Sequence, residues 1–177
     1  MISQFMENIN GFRGQGRSGW IVCQINYLRL CWGSYRPLMA GTFIPTPKWI
    51  VAKCTVLNVQ CFDDTNCFQY SVLAGMNVII SGYHGHKCHP LQYKPYMNML
   101  NMDGIPNPVL LLYMSKFEKQ NFDISVNVMY LHDRDIVPIR TSKFTNQRKY
   151  HVNLLMLTND DKFYYVSIQS LSRLIGD

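Results

Sequence analysis

The feature that most constrains the fold of this chain is a row of four β-strand patterns in its last third. In residues 124–130, apolar side chains at the even positions alternate with Ser125, Asn127 and Met129. This period of two is typical of a half-buried strand. Three further strands are predicted at residues 136–140, 151–158 and 163–169, with a hairpin turn at residues 159–162. Together they predict a strand meander in a mostly antiparallel sheet.

A buried helix is predicted ahead of these strands. Residues 67–76 form an apolar run, and the turn Asp63-Asp64-Thr65-Asn66 precedes it. Such side chains can satisfy the free N–H groups of a first helical turn. A short amphipathic helix at residues 113–121 and a helical turn at residues 171–175 follow. The sequence therefore predicts an α+β fold in which the helix at Cys67 packs on the sheet.

The remaining segments are less regular. Residues 1–19 are rich in glycine, asparagine, arginine and serine, which predicts a flexible N-terminal segment. Earlier strands are predicted at residues 20–32 and 53–60. Prolines and glycines make residues 77–108 mostly loop, with a short helix near residues 96–100. We therefore expect a flexible segment over residues 1–19 and a single domain over residues 20–177.

The composition favours a packed intracellular domain. The chain has 177 residues, of which 47% are apolar and only 16% are charged, and this balance argues against disorder. Its six cysteines form no CxxC pair and are expected to be reduced. No basic segment followed by an apolar run opens the sequence, and no apolar stretch reaches the ~20 residues of a membrane span. We expect neither secretion nor membrane insertion, and a location in the cytoplasm or nucleus.

The formal net charge of +6 is compatible with nucleic-acid binding but does not require it. The densest basic group falls between two predicted strands and comprises Arg140, Lys143, Arg148 and Lys149. This pattern favours a solvated loop. Nucleic-acid binding requires these residues, together with Arg13 and Arg17, to form one contiguous basic face.

The candidate nucleophile is Cys67, at the predicted start of the buried helix. A thiol attacks well only as a thiolate, and a helix N-terminus lowers the thiol pKa and offers N–H groups to an oxyanion. A cysteine in this position is typical of papain-like peptidases. A structural cysteine at the head of a core helix fits the same pattern, and the spacing alone favours that structural interpretation.

A cysteine nucleophile also needs a base, which among side chains is usually histidine. Of the five histidines, only His151 opens a predicted strand beyond the helix, which is where papain-like folds carry the base. His151 is therefore the candidate base by pattern. The pattern itself favours a histidine at a strand end with no catalytic role.

The segment His84-Gly85-His86-Lys87-Cys88-His89 offers four possible zinc ligands within six residues. Structural zinc sites usually draw their ligands from two separated segments, and four ligands so close in sequence do not easily surround one ion. We expect these side chains to be mostly exposed and not to converge, and we expect no metal and no cofactor.

Eight groups of short strings, taken in order, resemble one family. They are Ser18–Trp20; Tyr35–Leu38 with Thr42–Pro47; Asn66–Ala74; Tyr93–Tyr96; Asn101–Pro106; Lys116–Asn121 with Ile124–Val128; His151–Leu155; and Leu171–Leu174. Together they resemble a region that Polinton (Maverick) DNA transposons encode upstream of a zinc finger and a protein-primed type-B DNA polymerase. The resemblance extends from about residue 11 to the end of the sequence.

That transposon region is in turn similar to OTU-type cysteine peptidases. The OTU pattern Asp-x-Asn-Cys matches Asp64-Thr65-Asn66-Cys67, which implies that Cys67 is the nucleophile and that Asp64 and Asn66 belong to its site. The pattern ends on a strand that opens with histidine followed by an aromatic residue. Here Tyr164 stands in place of that histidine. The resemblance implies a papain-like, OTU-like fold whose base is missing, because a phenol with a pKa near 10 does not replace a neutral imidazole.

The resemblance therefore implies a transposon-derived, OTU-like cysteine peptidase domain that is catalytically inactive. It implies a ubiquitin-like protein or a peptide as the partner, and DNA contact only through a longer parent polymerase. The zinc finger and the polymerase do not follow in this sequence, so we expect a fragment of a longer protein. Two alternatives stay open: an active, deubiquitinase-like peptidase that uses His151, and a nucleic-acid-associated accessory region of the polymerase.

Overall fold

The sheet contains all four of the strands predicted in the last third of the chain. The structure, a computed structural model, describes residues 39–40, 43–62, 65–79, 84–144, 147–159 and 162–176. One sheet holds six strands: β1 (Met39–Ala40), β2 (Val56–Leu57), β3 (Ile124–His132), β4 (Asp135–Arg140), β5 (Tyr150–Asn159) and β6 (Lys162–Ile168). Together with the helices described below, this sheet confirms the α+β prediction.

The order of the strands corrects the predicted meander. The sheet runs β1-β6-β5-β3-β4, and β2 also pairs with β6. Three pairs are antiparallel, namely β2 with β6, β3 with β4, and β5 with β6. However, β5 pairs with β3 in parallel and not with its predecessor β4, and β1 also joins β6 in parallel. The sheet is therefore mixed.

The connection between β4 and β5 explains the parallel pair. The Arg148 guanidinium donates to the carbonyl oxygens of Glu118 at 2.5 Å, Asn121 at 3.0 Å and Ile124 at 2.8 Å. These carbonyls lie at or just before the start of β3. The N–H of Tyr150 then bonds the carbonyl of Asp123 at 2.8 Å. Because the connection is held there, β5 starts beside the start of β3 and runs in the same direction.

A buried ion pair holds the helix Met114–Gln120 to the hairpin of β3 and β4. Glu118 is 2% exposed, and its Oε2 accepts from Arg140 Nη2 at 2.6 Å. Its Oε1 accepts the N–H of Val126 at 2.8 Å. Arg140 also donates to the carbonyl of Val126. Every oxygen of this buried carboxylate therefore has a donor, as a buried charge requires.

Five α-helices lie in the described part of the chain: α1 (Lys48–Ala52), α2 (Cys67–Gly75), α3 (His84–Lys87), α4 (Met114–Gln120) and α5 (Leu171–Ile175). The predicted helices at residues 67–76, 113–121 and 171–175 are confirmed. The helix α3 falls where loop was predicted, and no element was predicted at α1, because four or five residues are too few to show a helical period. The helix expected near residues 96–100 is a 3-10 helix at Lys94–Met99.

The helix α2 packs closely on β5 and β6. Its Ser71 hydroxyl donates to the Tyr165 carbonyl at 2.7 Å. A Cβ added to Gly75 would lie 2.6 Å from Cγ1 of Val152 and 3.3 Å from Oγ of Ser167. Only glycine allows the helix to approach the sheet this closely at that point.

Several earlier expectations concern segments outside the described residues, namely the flexible segment at 1–19 and the strand at 20–32. The strand expected at 53–60 is limited to β2, although Thr55 and Val59 beside it are also buried. Among the described residues, no helix combines the length and the apolar character needed to cross a membrane.

Candidate active site

Cys67 is the first residue of α2, as the sequence predicts. Its side chain is 3% exposed, and the seven residues after it are also buried. The thiol therefore lies at a helix N-terminus, but under the surface of the core. This position suits either a nucleophile or a structural cysteine, so the groups around it decide its chemistry.

Asn66 occupies the N-cap position, but its side chain makes no capping bond to a backbone N–H of the helix. Its Oδ1 instead accepts from Gln69 Nε2 at 3.2 Å and from Asn107 Nδ2 at 2.9 Å. The amide of Asn66 thus fastens the head of α2 to the loop around residue 107. Asp64, the other polar residue of the predicted motif, lies outside the described residues.

The side chain of β6 that shares a face with α2 is Tyr165. Its ring packs edge-on against Phe68 of α2, with centroids 5.6 Å apart. Consecutive side chains of a strand point to opposite faces. Tyr164 therefore points away from α2, and the expectation that Tyr164 faces the start of the Cys67 helix is wrong by one residue. The alternation was predicted correctly, but the face that carries the helix was not.

Tyr165 lies within electrostatic reach of Cys67 and is unsuited to act as its base. Burial raises the pKa of Tyr165, and the negative charge of a Cys67 thiolate raises it further. The Tyr165 hydroxyl already donates its proton to the Val109 carbonyl at 3.1 Å. A phenol held in its protonated form does not remove a proton from a thiol at neutral pH.

Tyr164 has a structural role on the other face of β6. Its hydroxyl donates to the Val59 carbonyl and accepts the Cys61 N–H at 3.0 Å. Its ring makes an edge contact with Phe43 at 5.8 Å. Tyr164 therefore fixes residues 59–61, which lead toward α2.

His151 is not brought to Cys67. Met156 pairs with Tyr165, beside the start of α2, whereas His151 lies five residues earlier on β5, about 16 Å along the strand. Val152, the residue after His151, contacts Gly75 at the opposite end of α2. The His151 ring is exposed, and its Nδ1 bonds the Ser125 hydroxyl at 2.8 Å. His151 is therefore excluded as the substitute base by the register of the sheet.

The described side chains of the histidine-rich segment, residues 84–89, are less exposed than predicted. Cys88 is buried and His86 is half-buried, whereas His89 is exposed. Burial raises the pKa of Cys88, against a smaller opposing effect of the Asn58 backbone. The side chain of His84 lies outside the described residues. Within the described part, no three His, Cys, Asp or Glu side chains are grouped as metal ligands. None of the described cysteines, Cys54, Cys61, Cys67 and Cys88, is part of a disulfide.

The proposed basic face loses two of its members. Arg140 forms the ion pair with Glu118, and Arg148 donates hydrogen bonds to the carbonyls before β3. The Arg148 guanidinium also stacks 4.1 Å from the Phe144 ring. Lys143 and Lys149 remain exposed, and Arg13 and Arg17 lie outside the described residues. Within the described residues, the four-residue basic group is therefore divided between the interior and the surface.

Sequence reasoning missed two residues of this site, Tyr165 and Asn107. Both reach the head of α2 from distant parts of the chain, and no local spacing connects either of them with Cys67. The sequence signal that was available was the pair of consecutive tyrosines on a strand predicted to be buried.

A comparison of the chain with models of known protein families, with curated proteins and with solved structures finds no match.

Proposed function

We propose that this chain is a catalytically inactive domain of the papain-like, OTU-related type, derived from a Polinton-type transposon polymerase protein. One observation carries the inactivity. The side chain that β6 presents beside Cys67 is the buried phenol of Tyr165. An imidazole in this neighbourhood is the minimum requirement for a cysteine peptidase.

The contacts of Asn66 support the same conclusion. Its side-chain oxygen already accepts two hydrogen bonds, from Gln69 and Asn107. The buried position of Cys67 also leaves little room for a substrate carbonyl at the sulfur. The polar groups at the head of α2 therefore serve to hold the fold together and do not present a reactive thiol.

The transposon origin rests on the ordered strings that resemble the polymerase-protein region. A peptidase-like domain without its base retains the surfaces on which a polypeptide can bind. The remaining function is therefore binding, with a peptide or a ubiquitin-like protein as the partner. Contact with DNA is then a property of the longer parent polymerase.

The test is reaction with ubiquitin that carries a thiol-directed electrophile at its C-terminus. We expect no covalent adduct with the wild-type chain by intact-mass spectrometry. A small alkylating agent added after unfolding should modify Cys67, which shows that the thiol is present and reduced. An adduct on the folded protein that disappears in Cys67→Ala would refute the proposed inactivity.

Two histidine variants form a matched pair. Tyr165→His places an imidazole on the face of β6 that carries α2, whereas Tyr164→His places it on the opposite face. We expect only Tyr165→His to raise the alkylation rate of Cys67 near neutral pH, with circular dichroism to verify that both variants are folded. An increase with Tyr164→His alone would mean that Tyr164 occupies the position of the base.

A further inference from the structure

A large groove lies alongside α2. Its volume is about 920 Å³, at the upper end of the range for ligand sites in proteins. One wall contains Gln69 and Met76, the first inside α2 and the second directly after its end. Residues 97–103 and residues 120–124 form the other walls. The groove therefore follows the helix that begins at Cys67.

Apolar side chains line this groove and project from its rim. Four methionines line it, namely Met76, Met97, Met99 and Met102. Met99 is 51% exposed, and Phe122 of the segment 120–124 is 78% exposed. Methionine side chains are flexible and polarizable, and they are common on surfaces that accept varied apolar partners. These two exposed side chains favour an occupant that carries one large apolar group.

The groove also offers hydrogen-bonding groups that match a polypeptide backbone. The Gln120 side chain donates from Nε2 to the Asp103 carbonyl at 2.9 Å. Its Oε1 is buried and has no hydrogen-bond partner among the described residues. This oxygen is closed to solvent, so the amides that an incoming backbone can reach are the exposed ones of Asn98 and Asn101 in the same lining.

The charges in the groove favour a cationic partner. Asp103 and Asp123 both line it, and among the described residues of the lining the only lysine is Lys149. The Lys149 ammonium sits 4.8 Å from the centroid of the Tyr150 ring and within electrostatic reach of Asp123. Asp103 is left to attract a basic side chain. The two carboxylates would repel the phosphates of a nucleic acid, although the whole chain carries +6.

We infer that this groove binds an extended peptide segment that presents one large apolar side chain and one arginine or lysine. The apolar side chain enters among the methionines, the basic side chain pairs with Asp103, and the backbone bonds the amides of Asn98 and Asn101. The inference deepens the proposed function, since it names the partner of an inactive domain. The Gln69 side chain, which bonds Asn66, connects the groove with the residue before Cys67.

The experiment uses the full chain with ¹³C-methyl methionine. The probe is a pool of blocked nonapeptides of glycine and serine in which one leucine or phenylalanine and one arginine occupy all pairs of positions. We expect the methyl signals of Met76, Met97, Met99 and Met102 to shift. The methyls of Met114, Met129 and Met156, which do not line the groove, serve as internal references.

Two variants and their controls test the contacts. Asp103→Asn should weaken binding by about three- to fivefold, as expected for an exposed charge pair. Asp133→Asn, in the exposed turn between β3 and β4, should have no effect. Phe122→Ser should also weaken binding, whereas Ile175→Ser, an exposed apolar residue of α5, should not.

Four outcomes would overturn the inference. They are the absence of shifts at millimolar peptide, equal shifts with a pool in which glutamate replaces arginine, shifts caused by a single-stranded oligonucleotide, and shifts caused by raising the protein concentration alone. The last would mean that a second copy of the chain fills the groove. Peptide binding does not depend on catalysis, so Cys67→Ala should bind the pool as the wild type does. An adduct in the separate experiment with the ubiquitin electrophile would refute the proposed inactivity, but it would leave the peptide-induced methyl shifts, and hence this inference, unaffected.

Discussion

Tyr164 and Tyr165 are consecutive residues of β6, and their hydroxyls fasten this strand to two different parts of the chain. Tyr164 bonds backbone groups of Val59 and Cys61, and Tyr165 bonds the carbonyl of Val109. Buried backbone groups that lose a bonding partner are costly. The hydroxyl of Tyr164 bonds one backbone carbonyl and one backbone N–H, whereas that of Tyr165 bonds one backbone carbonyl.

The first prediction compares the two phenylalanine variants. Tyr164→Phe should lower the free energy of unfolding by about 2–3 kcal/mol and Tyr165→Phe by about 1 kcal/mol. Urea unfolding followed by tryptophan fluorescence measures both. Equal losses, or a larger loss for Tyr165→Phe, would contradict the assignment of two backbone bonds to Tyr164.

The second prediction concerns the pH dependence of stability at Glu118. Burial alone would raise the pKa of Glu118. The hydrogen bonds from Arg140, Val126 and Ser142, together with the charge of Arg140, outweigh this effect and lower the pKa. In the range below the ordinary glutamate pKa, the unfolded chain therefore binds the proton and the folded chain does not. This contribution to stability is complete above the ordinary value and is lost as the pH falls through the lowered one.

Glu118→Gln removes this titration. Its stability should fall less steeply than that of the wild type as the pH drops below about 4.3. At neutral pH the variant should be about 3–5 kcal/mol less stable, because Arg140 stays buried without its partner charge. Urea unfolding at a series of pH values measures both effects. Parallel pH profiles for the two proteins would mean that the Glu118 pKa is not lowered by folding.

At the residue scale, the sequence predicted Cys67 at the start of a buried helix, because a polar turn before an apolar run is a local signal. It did not identify the residue of β6 that faces Cys67. Since β6 is buried on both faces, apolar and aromatic residues fill every position from Phe163 to Val166. Alternation then defines two faces of the strand but not which face carries the helix. Similarly, nothing local distinguishes an arginine that enters the core from one in solvent.

At the scale of single elements, the contact between α2 and β5 depends on Gly75. An added methyl group would lie 2.6 Å from a Val152 methyl group, and this clash is relieved only if α2 or β5 shifts. The third prediction is that Gly75→Ala lowers the free energy of unfolding by about 1–3 kcal/mol, although alanine is the better helix former. Denaturant unfolding measures the loss.

Val152→Ala supplies the matched background. In that variant Gly75→Ala should lower the free energy of unfolding clearly less, because the clashing methyl groups of Val152 are gone. The effects of the two substitutions should therefore not be additive. Additive losses would mean that the cost of Gly75→Ala arises elsewhere, for example from a changed helix end.

The helices and strands with several turns or alternations were predicted from sequence, whereas their pairing was not. Periods of two and 3.6 are local properties, so β3 to β6, α2 and α4 were recognised. The parallel pairing of β3 with β5 depends on Arg148, whose three carbonyl partners lie 24 to 30 residues earlier. A mostly antiparallel meander is the default for strands with short connections, and this tertiary contact overrides it.

At the scale of the whole molecule, Arg148 sets the order of the sheet, which leads to the fourth prediction. Arg148→Ala should lower the free energy of unfolding by about 2–4 kcal/mol, since it removes charged hydrogen bonds to three carbonyls. Lys149→Ala is the matched control, because the Lys149 side chain is exposed and its removal should leave the free energy of unfolding close to that of the wild type.

Hydrogen exchange followed by mass spectrometry should locate the effect of Arg148→Ala. We expect faster exchange at the start of β5 and in the segment before β3, with β6 less affected. Equal stability of the Arg148→Ala and Lys149→Ala proteins would show that the connection is held by other contacts, such as the bond from the Ser142 N–H to Asn127 Oδ1 at 2.8 Å.

β6 follows the other five strands along the chain, yet it lies inside the sheet, between β5 on one side and β1 and β2 on the other. Val56 of β2 pairs with Ile168, more than a hundred residues later. During synthesis, β1, β2 and β5 must therefore wait with open edges until β6 emerges from the ribosome. Loop closure over such distances is slow, and open strand edges are prone to aggregate. We expect this sheet to form only after β6 has been synthesised, with the nascent chain dependent until then on chaperones that shield strand edges.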